Sequence, residues 1–128
     1  MPSFSHSSWE KLGTCHEDLQ RVFIEVVKTF DCTILEGKRS LERQRRLFAR
    51  GKTKTMNSKH LREPSQAVDV APYPIDWYDL ERFYFFGGYV LGVAQSMGIM
   101  LRYGGDWDQD WEVIDETWKD LPHFELVL

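Results

Sequence analysis

Apolar residues recur with a helical period early in the chain. Leu19, Val22, Phe23, Val26, Val27 and Phe30 fall at intervals of three and four, and Thr14-x-x-Glu17 ahead of them has capping-box spacing. The pattern predicts an amphipathic helix over about 15–30 with its stripe in the core. The period then changes. Cys32-Thr33-Ile34-Leu35 is a short β-prone run closed at Gly37, and Ser40 is placed to cap a second helix that runs to about Arg50 and stops at Gly51. Residues 51–66 show no sustained period and are rich in Lys, Ser, Asn and Pro, the mark of a loop long enough to carry function. Ala67 to Ala71 reads as a strand closed by Pro72 and Pro74. Asp76 and Asp79 can cap a long helix to about Met97 that is apolar nearly all round. After Gly98, a strand over Ile99 to Tyr103, an acidic loop over 104–120 and a terminal strand over His123 to Leu128 complete the chain. The order α-β-α-loop-β-α-β-loop-β predicts one α+β domain over 1–128, with a small antiparallel sheet packed with helices.

Composition narrows the class. The chain has 128 residues, 42% hydrophobic and 14% aromatic, with a net charge of −4, which suits one buried core and excludes a disordered tail or a fibrous repeat. The least charged stretch, Phe83 to Met100, is interrupted by Gly87, Gly88, Gly92 and Gln95 and falls short of the roughly 20 apolar residues of a membrane span, so no membrane insertion is expected. The N-terminus lacks a basic segment followed by an apolar one, which predicts accumulation in the cytoplasm. Cys15 and Cys32 have no C-x-x-C spacing and read as reduced or buried thiols.

Charge is unevenly distributed. Lys38 to Arg62 holds ten of the sixteen basic residues against one acid, Glu42, whereas Leu101 to Leu128 holds eight acids against two bases. Nucleic-acid binding is disfavoured, because the basic stretch has only Phe48 to stack on a base and the rest of the chain is acidic. A solvated helix face with a basic loop is the simpler reading, and a basic cleft would attract a carboxylate-bearing substrate.

The scarce residues for metal or acid–base chemistry are four histidines. His6 and His16 have no ligand-type neighbour at useful spacing, but His60 lies nine positions before Asp69 and His123 three after Asp120. A catalytic zinc site takes three protein ligands from nitrogen and oxygen donors, and His60, Asp69 and His123 supply such a set. Asp69 interrupts an apolar strand, where an unpaired carboxylate would be costly. The three converge only if the strands of Asp69 and His123 are neighbours; otherwise they are ordinary hydrogen-bonded residues. Asp120, on the turn ahead of His123, is placed to act as a base, and Glu125 is a weaker candidate on the same strand face.

These segments resemble a known family. Ser58-Lys59-His60, Ala67-Val68-Asp69-Val70 and Asp120-Leu121-Pro122-His123-Phe124-Glu125 are similar to motifs of the zinc D,D-carboxypeptidase and L-alanyl-D-glutamate endopeptidase family, which includes the VanY/VanX-like enzymes and small phage endolysins. Glu36-Gly37-Lys38-Arg39-Ser40 with Glu42 and Gln44, and Tyr103-Gly104-Gly105-Asp106-Trp107, resemble two further motifs, in order over about 12–128. The resemblance implies a fold of the hedgehog and D-Ala-D-Ala-peptidase type, one Zn2+ held by His60, Asp69 and His123, and Asp120 as general base. It also implies Arg39 at the scissile carbonyl or its oxyanion, and Ser58 and Gln44 as substrate-binding residues. The chain departs from the family pattern in a His60–Asp69 segment two residues longer, in Lys38 at a usually aromatic position and in Tyr103 where Trp is usual.

The loop residues Asp106, Asp108, Asp110 and Glu112 alternate like hard oxygen ligands for Ca2+. Trp111 stands where a calcium loop needs Gly and Thr117 where it needs Glu, so a solvated acidic loop is the preferred reading. The expectation is a monomeric zinc peptidase acting on the peptidoglycan stem peptide, by family resemblance an endolysin that cuts the L-alanyl-D-glutamate bond. It would stay in the host cytoplasm until a holin releases it to the cell wall. The alternatives are a D-alanyl-D-alanine carboxypeptidase of the same family and a non-catalytic wall-binding or tail-associated module.

Overall fold

The N-terminal segment without a clear period forms a helix, α1 (His6–Leu12), capped by Ser5, whose hydroxyl accepts from Ser8 N at 3.1 Å. The amphipathic helix follows as α2 (Glu17–Val27), shorter at both ends than expected. Its cap is His16, whose Nδ1 accepts from Asp18 N at 3.0 Å, rather than Thr14. The Thr14 hydroxyl is engaged elsewhere: it donates to Lys11 O at 2.6 Å and accepts from Lys38 N at 2.9 Å, bracing the turn ahead of the site. The computed structural model describes residues 2–116 and 118–128; Thr117, weighed above against a calcium-loop glutamate, lies outside the described residues.

Strand β1 (Cys32–Glu36) and helix α3 (Leu41–Ala49) follow, with Ser40 capping α3 through Arg43 N at 3.1 Å. The basic loop contains a single 3-10 turn, Lys59–Leu61, capped by Ser58. Strand β2 (Ala67–Pro72) leads to helix α4 (Leu80–Ser96), capped by Asp79 and not by Asp76. Strands β3 (Leu101–Tyr103) and β4 (His123–Leu126) flank the acidic loop.

The four strands form one antiparallel sheet in the order β1-β2-β4-β3. Alternate residues of a strand face opposite sides, so each strand splits its side chains between two environments. Ile34, Val68, Val70, Phe124 and Leu126 enter the core, where α2 supplies Leu19, Val22, Phe23 and Val26. Phe124 stacks on Tyr103 at 4.8 Å and meets Phe23 edge-on at 5.5 Å. Asp69, His123 and Glu125 fall on the other face. Helix α4 buries one stripe, Phe83, Phe86, Val90 and Ala94, and leaves Phe85 73% exposed, because no element among the described residues covers its far side. The helix is apolar nearly all round, as its sequence reads, but only this one stripe of it is buried.

Both cysteines are free and buried, and burial pushes their thiols up to about 11 for Cys15 and about 12 for Cys32. No helix among the described residues is long and apolar enough to cross a membrane.

Candidate metal centre

Strands β2 and β4 are neighbours, and Asp69 stands directly opposite His123 in their register. This pairing is the condition the three candidate ligands required. Asp69 Oδ1 lies 3.1 Å from His60 Nε2 and 3.2 Å from His123 Nδ1, and the three donor atoms lie within 4.8 Å of one another. The longer His60–Asp69 connection does not prevent this, because Ser65 ties it down: its N–H donates to Thr14 O at 3.0 Å and its carbonyl accepts from His16 N at 2.7 Å.

Each histidine has its donor nitrogen selected by a second partner. His60 Nδ1 donates to Gly37 O at 2.7 Å, which leaves Nε2, facing Asp69, as the nitrogen open to a metal. A Cβ on Gly37 would meet Lys11 O at 2.5 Å and Cys15 Sγ at 2.9 Å, so only glycine lets the end of β1 approach this closely. His123 Nε2 donates to Glu125 Oε1 at 2.9 Å, which leaves Nδ1, the nitrogen that faces Asp69, as the one open to a metal. Glu125 is anchored in turn by Arg102 Nη2 at 2.9 Å and Lys59 Nζ at 3.6 Å. The place of Glu125 on the same strand face as His123 was legible, but its service as the partner of His123 was not; the i, i+2 spacing was the only signal.

Opposite charges hold this cluster together. Burial alone would raise the Asp69 carboxyl, yet hydrogen bonds from His123 and His60 keep it well below the usual carboxylate range. Burial would lower His123, but its bonds to Asp69 and Glu125 push it up to about 9. Glu125, raised by burial, is brought down to about 2 by His123 and Arg102.

Asp120 and Arg39 border the ligands. Asp120 Oδ2 is 4.0 Å from His123 Nδ1, with its side chain 39% exposed, and burial followed by the charge of Asp69 shifts its carboxyl upward. Gly104 permits this turn: a Cβ there would collide with the Asp120 carbonyl oxygen. Arg39 is only 8% exposed, not a surface cation. Its Nη2 contacts Glu36 Oε1 at 2.8 Å and Asp69 Oδ2 at 3.5 Å, and its Nη1 donates to Gln44 Oε1 at 2.8 Å. Its Nε is buried and has no partner among the described residues.

Gln44 departs from the expected substrate-binding place. It is fully buried and spends its amide on Arg39 and on Thr55 O at 2.6 Å, so it stands behind Arg39. Ser58 is buried at the edge of the site, and its hydroxyl accepts from His60 N at 3.1 Å. His6 forms an exposed pair with Glu10, and His16 caps α2; neither approaches the centre.

These residues line a cleft of about 710 Å³ with the basic loop 52–62 and with Trp107, Glu116 and Trp118. Trp107 packs against the His123 ring at 5.2 Å. A second carboxylate group gathers on the acidic loop, where Asp106, Asp108 and Asp110 meet Glu116 rather than Glu112. Asp106 accepts there from Trp111 N at 2.9 Å, and Asp110 from Glu112 N at 2.8 Å.

A donor set of two histidines and one carboxylate, with a further carboxylate and a guanidinium at its rim, is the arrangement of a metal-dependent hydrolase. Comparison with known proteins narrows that class. The family model for phage L-alanyl-D-glutamate peptidase matches residues 2–127. The L-alanyl-D-glutamate peptidase of Escherichia phage T5 is 32% identical, over 97% of each chain. The crystal structure of Serratia marcescens L-Ala D-Glu endopeptidase ChiX matches with a TM-score of 0.78 and 30% identity, covering 98% of this chain and 91% of that one. The chain belongs to the phage L-alanyl-D-glutamate peptidase family.

Proposed function

We propose that the chain is a zinc-dependent endopeptidase that hydrolyses the L-alanyl-D-glutamate bond of the peptidoglycan stem peptide. The observation that carries this reading is the convergence of His60 Nε2, His123 Nδ1 and Asp69 Oδ1 at the floor of a cleft that also holds Asp120 and Arg39. The donor chemistry fits zinc: three protein ligands of nitrogen and oxygen type, with both imidazole tautomers set by outside partners. Zinc, when bound, acts as a Lewis acid and lowers the pKa of water.

The chain's own residues divide the remaining work. Asp120 accepts the proton of the attacking water and returns it to the leaving amine, a role suited to a carboxylate raised above its ordinary value. Arg39 presents a fixed positive charge to the developing oxyanion. Gln44 and Glu36 hold its guanidinium from behind, and Ser58 orders the turn that carries His60. The site is built from one chain, so this reading needs only a monomer, with a holin to release it from the host cytoplasm if it is phage-encoded.

The test is zinc stoichiometry together with the release of new amino groups from purified peptidoglycan, for the wild type and D120A. One zinc per chain, new N-terminal glutamate from the wild type, and zinc without hydrolysis in D120A are expected. A wild type that binds no zinc, a D120A variant with full activity, or release of free D-alanine in place of new N-terminal glutamate would overturn the reading.

A further inference from the structure

This inference rests on the proposed bond specificity. A glutamyl residue has two carboxyl groups, and at most one of them continues the chain. The other stands free within a few bonds of the scissile nitrogen. A cleft that cuts there has use for a cation whose donors are not already taken up by the protein.

The tertiary structure sorts the ten basic residues between Lys38 and Arg62 by this criterion. Four lie outside the cleft. Arg39 and Arg43 share Glu36, at 2.8 and 2.6 Å. Lys59 faces Glu125 and donates to Leu126 O. Arg62 directs both terminal nitrogens at Asn57 Oδ1. Lys52 and Lys54 remain. Both are exposed, both line the cleft, and neither ammonium has a hydrogen-bond or ion-pair partner among the described residues. Lys54 Nζ sits 4.7 Å from the centre of the Trp118 ring, two residues before Asp120, so it already reaches the segment that carries the proposed base. An exposed cation–π contact is weaker than a charge-assisted hydrogen bond, and an arriving carboxylate would draw the ammonium off the ring.

We propose that Lys54, assisted by Lys52, binds the free carboxylate of the glutamyl residue at the scissile bond and makes the enzyme selective for that carboxylate over its primary amide. Neutral amides gain nothing from the two charges, whereas a carboxylate is both attracted and oriented.

The experiment uses two synthetic stem peptides, identical except that the glutamyl carboxyl is free in one and a primary amide in the other. kcat/KM is measured on both for the wild type, K54M, K54R and K52M/K54M, with zinc content and thermal stability as folding controls. The wild type is expected to prefer the free carboxylate. K54M should lower kcat/KM for that peptide about three- to tenfold, mainly through KM, with K54R restoring most of it. The double variant should bring the two peptides to near equality, mainly through loss on the free-carboxylate peptide. Equal cleavage of both peptides by the wild type, or an undiminished preference in K52M/K54M, would overturn the inference and leave the bond specificity standing. Cleavage of neither peptide by the wild type would overturn both.

Discussion

Two regions of this molecule gather carboxylates and other metal-type donors at close range, and they differ in what surrounds those donors. At His60, Asp69 and His123 the donors come from a turn and two paired strands, and their outer partners, Gly37 O and Glu125, engage one nitrogen of each imidazole and turn the other inward. On the acidic loop, Asp106, Asp108, Asp110 and Glu116 are close in sequence, and backbone N–H groups of the loop occupy their oxygens. Opposite charges meet in the first region; like charges meet in the second. The Asp106 carboxyl shows the consequence. Burial, with Asp110 and Asp108 adding to it, pushes it up to about 6 despite the opposing hydrogen bond from Trp111 N. A converging donor set is thus distinguished less by its ligands than by the groups that orient them without consuming them.

The contrast can be broken most directly at the ligands. D69A or H123A should lose bound zinc and fall to background hydrolysis, read by metal analysis and amino-group release; retention of one tightly held zinc would place the ion elsewhere. Next in size is D120A, expected to keep its zinc and lose about 10²–10⁴-fold in turnover, because it removes the proposed proton carrier and none of the proposed ligands. Removing the outer partner tests the orienting argument itself. E125A should weaken zinc binding by about 10–100-fold in a chelator competition, and E125Q, which still offers an acceptor to His123 Nε2, should recover part of the loss.

The smallest effects belong to the loop. D108N should leave zinc stoichiometry at the histidine centre unchanged. It should also alter the pH dependence of stability in the metal-free protein. A carboxyl raised in the folded state contributes stability that is present below its ordinary value of 3.8 and is lost as pH rises towards about 6. Relief of the repulsion on Asp106 should therefore raise the melting temperature of D108N above that of the wild type at pH 7, with the gap closing near pH 4. An equal gap at both pH values would remove like-charge repulsion as the feature that separates the two regions.

Local elements were legible wherever local physics decides them. The apolar spacing of Leu19 to Val27 is that of α2, Ser40 caps α3, and the alternation of His123 to Leu126 is that of β4. The readings that moved were decided by distant partners. Thr14 gave up its cap position because its hydroxyl is shared by Lys11 O and Lys38 N, and His16 took its place. Gln44 stood in the expected helix but behind Arg39, since burial there leaves its amide only Arg39 and Thr55 O.

The residue types and their spacing made His60, Asp69, His123 and Asp120 candidates, because few side chains can do this chemistry and each of these sits where a strand or turn would present it, and the family resemblance supplied the roles expected of them. Spacing along a chain carries no information about which strands pair. That β2 lies beside β4, with Asp69 across from His123, was decided by the tertiary structure, where Val68, Val70, Phe124 and Leu126 bury one face of the sheet and leave the opposite face to the site. The same packing decided which imidazole nitrogens face inward and which two of the six cleft cations between Lys38 and Arg62 keep their donors uncommitted. These are properties of through-space distance in a folded core, which no local pattern encodes.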